Sequence, residues 1–263
     1  MNTVTLLTDF GTKSGYVAQM KGVLLSHTNA INIVDLTHDI SPQNIREGAF
    51  VLKQTVNYFP KGTIHIAVID PGVGTERKGI IVPTRSQILI GPDNGLLMPA
   101  AHYLGDFAVY EISNPLYMMQ SVSNTFHGRD IFSPVAANII KGVPFDQFGK
   151  RLFNFVDLDF GQGIIDSKSA TGKIIHIDSF GNIITNIDGE KIKKYVDFGK
   201  KLMIFIGSER KEITFHKAYG FARKRQILAT VGSSNLFEVG INQGNATKRL
   251  GVKLDDEVKI LFP

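Results

Sequence analysis

Six residues of strand-like apolar character, Ile64 to Ile69, end abruptly at Asp70, and this boundary constrains the fold more than any other stretch. Such a run is typical of a strand buried on both faces, as in parallel sheets. Open α/β sheets bind ligands beyond the carboxyl ends of their strands, so Asp70 is predicted to face a ligand crevice. In the turn that follows, Gly72 and Gly74 permit positive φ. A plain turn opened by a hydrogen-bonding Asp is the alternative reading of this stretch.

Strand and helix signals alternate through the first half of the chain. Ser41 and Pro42 are predicted to open the second helix, as its N-cap and its first helical residue. The β-α-β-α-β order predicts a mostly parallel sheet with helices on its faces. The predicted elements are strands over Val4–Thr8, Ile31–Leu36 and Ile64–Ile69, and helices over Tyr16–Ser26 and residues 44–57.

The pattern changes after residue 153. Periodicity is lost between residues 153 and 171, and from Gly172 onward short strands recur between turn signals with few helices. This pattern is typical of a compact β-barrel or sandwich. We therefore predict an α/β fold with an N-terminal α/β catalytic domain over residues 1–160 and a smaller C-terminal β-barrel domain over residues 172–263.

Composition excludes several classes of site. The 263 residues contain no cysteine, which rules out disulfides, thiol nucleophiles and Cys-type zinc sites. No apolar run is long enough to span a bilayer, and the first residues lack a basic leader and an A-x-A cleavage site. We expect a cytoplasmic protein that does not bind membranes.

The net charge of +5 is unevenly distributed. Residues 1–171 hold 13 Lys and Arg against 14 Asp and Glu, whereas residues 172–263 hold 16 against 10. The basic excess lies in three clusters, at residues 191–194, 200–201 and 223–225. Each cluster is explained most simply as solvated surface. The more specific alternative is a barrel that binds a polyanion.

Three aspartates of the first half, and one histidine, are candidates for chemistry. Asp9 and Asp70 each follow a predicted strand, Asp93 lies in a Pro-Asp-Asn-Gly turn, and His127 lies in T-F-H-G-R-D. Asp93 is most simply a turn former. Asp9 closes the first buried strand, where a carboxylate can accept hydrogen bonds from both hydroxyls of a ribose.

Two stretches of the second half carry small polar residues beside an aromatic at strand ends. They cover residues 178–186 and 232–246. Phe180 could stack on a base or simply cap the core, and Asn182, Ser234 and Glu238 could reach the polar ends of a zwitterion. Ordinary turn chemistry between barrel strands remains the alternative for either stretch.

Together these motifs make the chain resemble the S-adenosyl-L-methionine (SAM) hydroxide adenosyltransferases, the adenosine-forming SAM hydrolases related to fluorinase and chlorinase. The resemblance covers essentially the whole chain. It rests on T-D-F-G at 8–11, D-L-T-H-D-I-S-P at 35–42, I-D-P-G-V-G-T-E-R at 69–77, P-D-N-G-L-L at 92–97, F-H-G-R-D at 126–130, D-S-F-G-N-I-I-T-N at 178–186 and S-S-N-L-F-E-V-G-I-N-Q-G-N-A at 233–246.

The resemblance implies an N-terminal α/β domain, a C-terminal barrel, and a homotrimer whose active sites lie at subunit interfaces. It implies hydrolysis of SAM, as substrate and without a cofactor or metal, to adenosine and L-methionine. The implied catalytic residues are Asp70, Arg77 and His127. The implied substrate-binding residues are Asp9, Phe180, Asn182, Ser233, Ser234, Glu238 and Asn242.

The same resemblance separates hydroxide from halide chemistry. The halogenases have Tyr where this chain has Asp70, and the fluorinase has Tyr-Ser where it has His127-Gly128. Residue 70 is the discriminating position, because a carboxylate there would repel a halide.

Three alternatives stay open at this point. The first is a halide-using, chlorinase-like SAM adenosyltransferase. The second is a metal-dependent hydrolase with Asp9, Asp70, Asp93 and His127 as ligands. The third is a protein that binds a nucleoside or RNA through the basic barrel, whereas the hydrolase reading implies no nucleic-acid partner.

The hydrolytic reaction places its demand on the nucleophile, since methionine leaves as a neutral thioether. A water must be aimed at the ribose C5′ and deprotonated as it attacks. Asp70 is the candidate proton acceptor, and Arg77, which stays protonated, would orient that carboxylate. His127 is the alternative terminal acceptor near neutral pH.

Overall fold

A computed structural model describes residues 2–28 and 30–263. The chain divides into two compact units, the first ending at Asp159 and the second comprising Phe160–Pro263. Each unit has its own sheet: the first unit is a mixed α/β fold, and the strands of the second pair antiparallel. The assignment of a catalytic domain to residues 1–160 and a substrate-site domain to residues 172–263 stays a prediction.

Within its described residues, 2–28 and 30–159, the N-terminal unit has seven strands and four α-helices, together with short 3₁₀ and π turns. The strands are β1 (Asn2–Thr8), β2 (Ile31–Thr37), β3 (Ile64–Val68), β4 (Gly79–Pro83), β5 (Ile88–Pro92), β6 (Val109–Ile112) and β7 (Arg151–Leu152). The α-helices are α1 (Tyr16–His27), α2 (Ile45–Val56), α3 (Met98–Leu104) and α4 (Ser133–Ile140).

The seven strands form one sheet in the order β2-β1-β3-β5-β4-β6-β7. The pairs β1–β2, β1–β3 and β3–β5 are parallel, and the pairs β4–β5, β4–β6 and β6–β7 are antiparallel. The expectation of a mostly parallel sheet is therefore not confirmed. The hairpin of β4 and β5 needs no crossover helix, and from β5 to β7 each strand of the sheet runs opposite to its neighbour.

Every residue of β3 is buried, as the apolar run at 64–69 predicts for a central strand. Its register with β1 pairs Thr8 with Val68, so both strands end at the same edge of the sheet. Asp9 and Asp70 follow these two ends. The parallel pairing thus places the first two candidate carboxylates on one side of the N-terminal unit.

The predicted start of helix α2 was wrong. Asn44 is the N-cap, and its side-chain oxygen accepts a hydrogen bond from the Glu47 backbone N–H at 3.1 Å. Gln43 just before it has a φ of 64°, which no helical residue adopts. Ser41 and Pro42 therefore belong to the connection before the helix.

The C-terminal unit is an antiparallel sheet with two short helices. Its strands are β8 (Ile164–Ile165), β9 (Ser169–Ile177), β10 (Ile183–Asp188), β11 (Lys201–Ile206), β12 (Glu209–Thr214), β13 (Ile227–Val231), β14 (Leu236–Ile241) and β15 (Glu257–Leu261). The helices are α5 (Gly189–Ile192) and α6 (Ala246–Leu250).

This sheet is nearly closed into a barrel. The strand order is β12-β11-β15-β9-β10-β14-β13, with β8 paired to β9. Phe215, directly after β12, forms a bridge with Ala229 of β13, so the two edges of the sheet meet. Its interior is filled by inward-facing apolar residues such as Ile204, Phe237 and Ile260.

Across residues 2–28 and 30–263 there is no helix with the length and apolarity needed to cross a membrane.

Candidate active site

Asp70 lies two residues beyond the end of β3, and its side chain is only 5% exposed. Its backbone carbonyl accepts a hydrogen bond from Val73 N–H at 3.2 Å, and Gly72 accepts one from Thr75 N–H at 3.2 Å. These two turns bring the chain back toward the strand end. Arg77 comes two residues after Thr75, and its side chain reaches the Asp70 carboxylate at the start of the loop.

The Arg77 guanidinium holds both oxygens of the Asp70 carboxylate. Its Nε lies 3.0 Å from Oδ1 and 2.9 Å from Oδ2, and its Nη2 also donates to Oδ2. The Arg77 side chain is 11% exposed, and its Cζ lies 5.5 Å from the centre of the buried Phe132 ring. A multiply bonded arginine–carboxylate pair of this kind is fixed in direction as well as in charge.

The same guanidinium also contacts His127. Arg77 Nη2 donates to His127 Nδ1 at 2.8 Å, and since arginine has no acceptor, the imidazole must accept at Nδ1. Burial, and then the neighbouring guanidinium, hold the pKa of His127 below its usual value, against the opposite effect of the Asp70 and Asp130 carboxylates. His127 is therefore a neutral imidazole with its proton on Nε2 at neutral pH.

The loop before His127 is anchored by Asp130, which is fully buried. Asp130 accepts hydrogen bonds from Ser123 N–H at 2.8 Å and from Arg129 Nε at 2.6 Å. Residues Gly128–Phe132 form a π-helical turn that continues directly into α4. Such turns occur frequently at functional sites. His127 directly precedes this turn, so the turn fixes the position of its side chain relative to α4.

Gly74 brings the Asp70 loop against the loop that carries His127. Its φ is 78°, and a Cβ built at this position would lie 2.2 Å from the Asn124 carbonyl oxygen. No residue with a side chain fits this approach without moving the backbone. Gly72, in contrast, is not among the glycines with positive φ, so only Gly74 of the two uses the predicted freedom.

Asp9 is half-buried directly after β1, and its Oδ2 accepts a hydrogen bond from the Gln43 backbone N–H at 2.8 Å. Asp9, Asp70 and His127 line one cavity of about 290 Å³, which we call the Asp70 cavity. Its wall also includes Phe10 and Phe126, whose rings pack edge to face at 5.7 Å. The structure thus brings together three of the candidates from the N-terminal half, with Arg77 bonded to two of them.

The C-terminal unit has a second cavity, of about 370 Å³, which we call the Phe180 cavity. Phe180 is 76% exposed, and Asn182 is buried. The Asp178 carboxylate fixes both, since it accepts from Phe180 N–H at 3.0 Å and from Asn182 Nδ2 at 2.8 Å. The cavity is lined by Phe180, Asn182, Tyr219, Ile241, Gln243 and Gly244.

Glu238 is 7% exposed and accepts a hydrogen bond from the Tyr219 hydroxyl at 2.6 Å. Burial raises the pKa of Glu238 and nearby Asp178 raises it further, while the Tyr219 hydrogen bond opposes both effects. Burial also raises the pKa of Tyr219, as do its hydrogen bond to Glu238 and the charge of that carboxylate. Tyr219 was missed from the sequence, because it lies in an irregular segment with no periodicity.

Glu238 does not line the Phe180 cavity, and neither do three other candidates, Ser233, Ser234 and Asn242. Ser233 is exposed and Ser234 half-buried in the turn between β13 and β14. That turn is close to Glu238, since a Cβ on Gly232 would lie 1.6 Å from Glu238 Oε1. Asn242 donates from Nδ2 to the Ala222 carbonyl at 2.8 Å and so holds a neighbouring loop.

The candidate ligands of a metal-dependent hydrolase do not converge. Asp93 accepts a hydrogen bond from Val156 N–H at 2.9 Å and is not part of the Asp70 cavity. Burial raises its pKa, against that hydrogen bond. Within the described parts of the chain, no three His, Cys, Asp or Glu side chains are grouped so that they could hold a metal ion.

Comparison with known proteins shows what this chain is similar to. A (R)-S-adenosyl-L-methionine hydrolase from Methanocaldococcus jannaschii is 39% identical, over 100% of this chain and 97% of its own length. A fluorinase from Nocardia brasiliensis is 27% identical over 76% of each chain. The crystal structure of an uncharacterized conserved protein from Thermotoga maritima superimposes with a TM-score of 0.90 at 35% identity, covering 98% of this chain and 99% of that one.

The two units also match two family models. Residues 4–149 match the SAM hydroxide adenosyltransferase N-terminal domain, and residues 172–259 match the C-terminal domain of the same family. These ranges contain every candidate residue described above. The chain belongs to the SAM hydroxide adenosyltransferase family.

Proposed function

We propose that this protein hydrolyses SAM to adenosine and L-methionine, and that its substrate is the (R) epimer at sulfur, which the name of the Methanocaldococcus relative specifies. The observation that carries the proposal is the hydrogen-bonded series Asp70–Arg77–His127, two of whose members line a cavity with Asp9. A buried carboxylate held beside a nucleoside-sized cavity suits the activation of a water molecule.

In the proposed reaction, the water oxygen attacks the ribose C5′ opposite to the sulfur. The carbon–sulfur bond breaks with its electron pair going to sulfur, so methionine leaves as a neutral thioether. The water loses one proton to a protein group, and the other stays on the new 5′-hydroxyl. Holding water and substrate in line can lower the barrier by roughly 7–11 kcal/mol.

Asp70 is the proposed acceptor of the water proton. Its two oxygens accept from Arg77, and a carboxylate has further lone pairs to offer a water in the Asp70 cavity. His127 is the weaker candidate, because its Nδ1 is occupied by Arg77 and its pKa is lowered. We assign to Arg77 the orientation of both groups, and to His127 a hydrogen bond to the water or the ribose through Nε2–H.

The substrate-binding roles are proposals of the same kind. Asp9 is assigned to the ribose hydroxyls, Phe180 to the adenine face and Asn182 to a polar edge of the substrate. The roles of Ser233, Ser234, Glu238 and Asn242 in binding rest on the family resemblance. For Asn242, the hydrogen bond to Ala222 favours an indirect role, in which its side chain shapes the loop beside the Phe180 cavity.

We further propose a cytoplasmic homotrimer whose active sites lie at subunit interfaces, so that each site combines the Asp70 cavity of one copy with the Phe180 cavity of another. The proposed reaction requires no cofactor or metal, and no nucleic acid or membrane takes part in it. Mass measurement in solution tests the trimer, and activity in the presence of a chelator tests the metal-free mechanism.

Incubation with (R)-SAM in ¹⁸O-enriched water is the direct test. Attack at C5′ places the heavy oxygen in the 5′-hydroxyl, so mass spectrometry should find adenosine heavier by the isotope difference, together with unlabelled methionine. Asp70→Asn is the matched inactive control. Any other nucleoside product, or adenosine without the label, contradicts the proposed reaction.

A halide-using adenosyltransferase remains the second candidate, because a relative named fluorinase covers three quarters of the chain. The buried Asp70 carboxylate in the cavity wall argues against it, since it would repel a halide ion. Parallel incubations with SAM and either chloride or fluoride decide between the two. A 5′-halogenated nucleoside would favour this alternative.

A further inference from the structure

The C-terminal unit has another cavity, of about 390 Å³, whose wall carries three cations. We call it the basic cavity. It is lined by Arg225, Ile241, Gly244, Asn245, Lys248 and Arg249. It includes Arg225, the last residue of the basic cluster at residues 223–225. The proposed hydrolytic reaction does not use this cluster.

The three cations of the basic cavity are not neutralised within the part of the chain that the structure describes. Other cations of the same unit are paired, with Lys193 bonded to Glu190, Lys201 to Glu212 and Lys211 to Glu209. None of the ion pairs found in the described residues involves Arg225, Lys248 or Arg249. Like charges kept together without a carboxylate favour the binding of an anion.

The backbone of Arg225 indicates that its position is held in place. Its φ is 65°, a left-handed conformation that favours Gly or Asn. Two hydrogen bonds fix it there, from Arg225 N–H to the Asn242 carbonyl at 2.8 Å and from Arg249 Nη1 to the Arg225 carbonyl at 3.0 Å. Strained residues of this kind cluster at ligand-binding sites. The second bond also brings the Arg249 guanidinium to the Arg225 backbone.

The proposed substrate does not explain this charge. SAM carries a net positive charge, adenosine is neutral, and methionine is a neutral zwitterion. SAM and methionine each offer a single carboxylate, which is fewer negative charges than the three cations of the basic cavity can bind. The basic cavity also adjoins the Phe180 cavity, because Ile241 and Gly244 line both.

We infer that the basic cavity binds the phosphate groups of an adenine nucleotide whose adenine base lies in the Phe180 cavity and whose ribose is turned toward the basic cavity. The assignment of the adenine base rests on the proposed function of the Phe180 cavity. Arginine and lysine side chains around an open cavity are the donors that phosphate groups prefer. A nucleotide bound in this way excludes SAM, so it inhibits hydrolysis competitively.

Calorimetry with the full-length protein at low salt tests the inference. ADP should bind at least about tenfold more tightly than adenosine, and added salt should weaken ADP but not adenosine. Arg225→Gln combined with Lys248→Gln should remove that preference. Lys224→Gln is the matched control, because Lys224 is an exposed cation of the same loop that does not line the cavity.

Adenosine affinity reports whether the double variant is still folded. An unchanged adenosine affinity with a lost ADP preference supports the inference. Equal affinities of the wild type for ADP and adenosine overturn it, as does an equal loss of ADP binding in Lys224→Gln. Inorganic phosphate and pyrophosphate form a separate arm, and tighter binding of either than of ADP overturns the role of the adenosine part.

This test is separable from that of the proposed reaction. If (R)-SAM is not hydrolysed but ADP binding depends on Arg225 and Lys248, the activity is wrong and the inference stands. If adenosine is formed from SAM and ADP shows no preference over adenosine, the inference is wrong and the activity stands. Competition is read from KM, which ADP should raise in the wild type without changing kcat.

Discussion

Arg77 donates a hydrogen bond to His127 Nδ1 across 2.8 Å while its Nε holds the Asp70 carboxylate. A doubly protonated imidazole has no free lone pair for this contact and would face a like charge. The contact therefore exists only while His127 is neutral. One guanidinium thus sets the direction of the carboxylate and the tautomer of the histidine.

Asp70→Asn should lower kcat by about 10²- to 10⁴-fold, the range expected for loss of a general base. The shape of the side chain is kept, so the affinity for SAM should change little. Rapid-quench kinetics and calorimetry measure the two quantities separately. Asp93→Asn is the control, because Asp93 is a partly buried aspartate outside the Asp70 cavity. Turnover of Asp70→Asn at the wild-type rate would rule out the proposed base.

Arg77→Gln should raise the pKa of His127, because it removes the second of the two causes that lower it. NMR titration of the imidazole measures this shift, and His102, an exposed histidine, serves as internal reference. In the wild type, kcat/KM should fall with decreasing pH as His127 becomes protonated and loses the Arg77 contact. An unchanged His127 titration in Arg77→Gln would contradict the geometry described here.

Asp9→Ala should weaken adenosine binding by about 10- to 100-fold, the loss expected for hydrogen bonds to a charged acceptor. Asp9→Asn keeps one acceptor oxygen and should lose less. Calorimetry with adenosine and with 2′-deoxyadenosine distinguishes the ribose role, since the deoxy compound should lose affinity in the wild type and little more in Asp9→Ala. Equal affinity of wild type and Asp9→Ala for adenosine would remove the assignment.

Gly74→Ala should reduce both stability and activity, because its Cβ would lie 2.2 Å from the Asn124 carbonyl. Gly62→Ala is a close control, since Gly62 has a similar φ of 82° but nothing within 4 Å of its Cβ position. Both variants bear the cost of left-handed backbone, of about 1–3 kcal/mol. Urea unfolding should show a larger loss for Gly74→Ala. Equal losses of unfolding free energy in the two variants would mean that the loops of Gly74 and Asn124 move apart at no cost.

His65 should make the N-terminal unit sensitive to acid. Burial lowers the pKa of His65 from 6.5 to about 4, although its hydrogen bond to Gln87 opposes this shift. A lowered pKa in the folded state stabilises the protein above pH 6.5, and this contribution is lost as the pH falls toward 4. The expected loss is about 3 kcal/mol of unfolding free energy.

Urea unfolding at several pH values measures that loss. His65→Gln removes the titrating group and should flatten the decrease between pH 6.5 and 4, even if the variant is less stable throughout. His216→Gln, at a half-buried histidine of the other unit, is the control. A decrease of the same steepness in His65→Gln would assign the acid sensitivity to other groups.

The part of the site at the end of β3 could be predicted because it follows from strand burial and parallel pairing. A strand that is apolar apart from His65 is expected inside the sheet, and its neighbour β1 ends in register with it. Strand burial and parallel pairing are therefore enough to place Asp9 and Asp70 at the same edge of the sheet. The turn signal at residues 83–86 is likewise typical of a hairpin, and β4 and β5 do pair antiparallel. The pairing of β4 with β6 has no such local signal in the sequence.

Other parts of the site carry no signal in residue type. Gln43 contributes its backbone N–H to Asp9, and every residue except proline has that group. Its left-handed φ also displaces the start of α2 from Ser41 to Asn44. Asn242 shows the opposite case: its side chain suggests ligand binding, yet its amide is used by the Ala222 carbonyl.

The π-helical turn over Gly128–Phe132 has a consequence for the length of the chain. A π turn holds about one residue more per turn than an α-helix, in which each residue turns the chain by about 100°. Deleting one residue from this turn would restore α geometry and rotate His127 away from Arg77, although α4 could keep all its packing. At this point the spacing between His127, a proposed catalytic residue, and its supporting helix is as restrictive as the identity of the side chain itself.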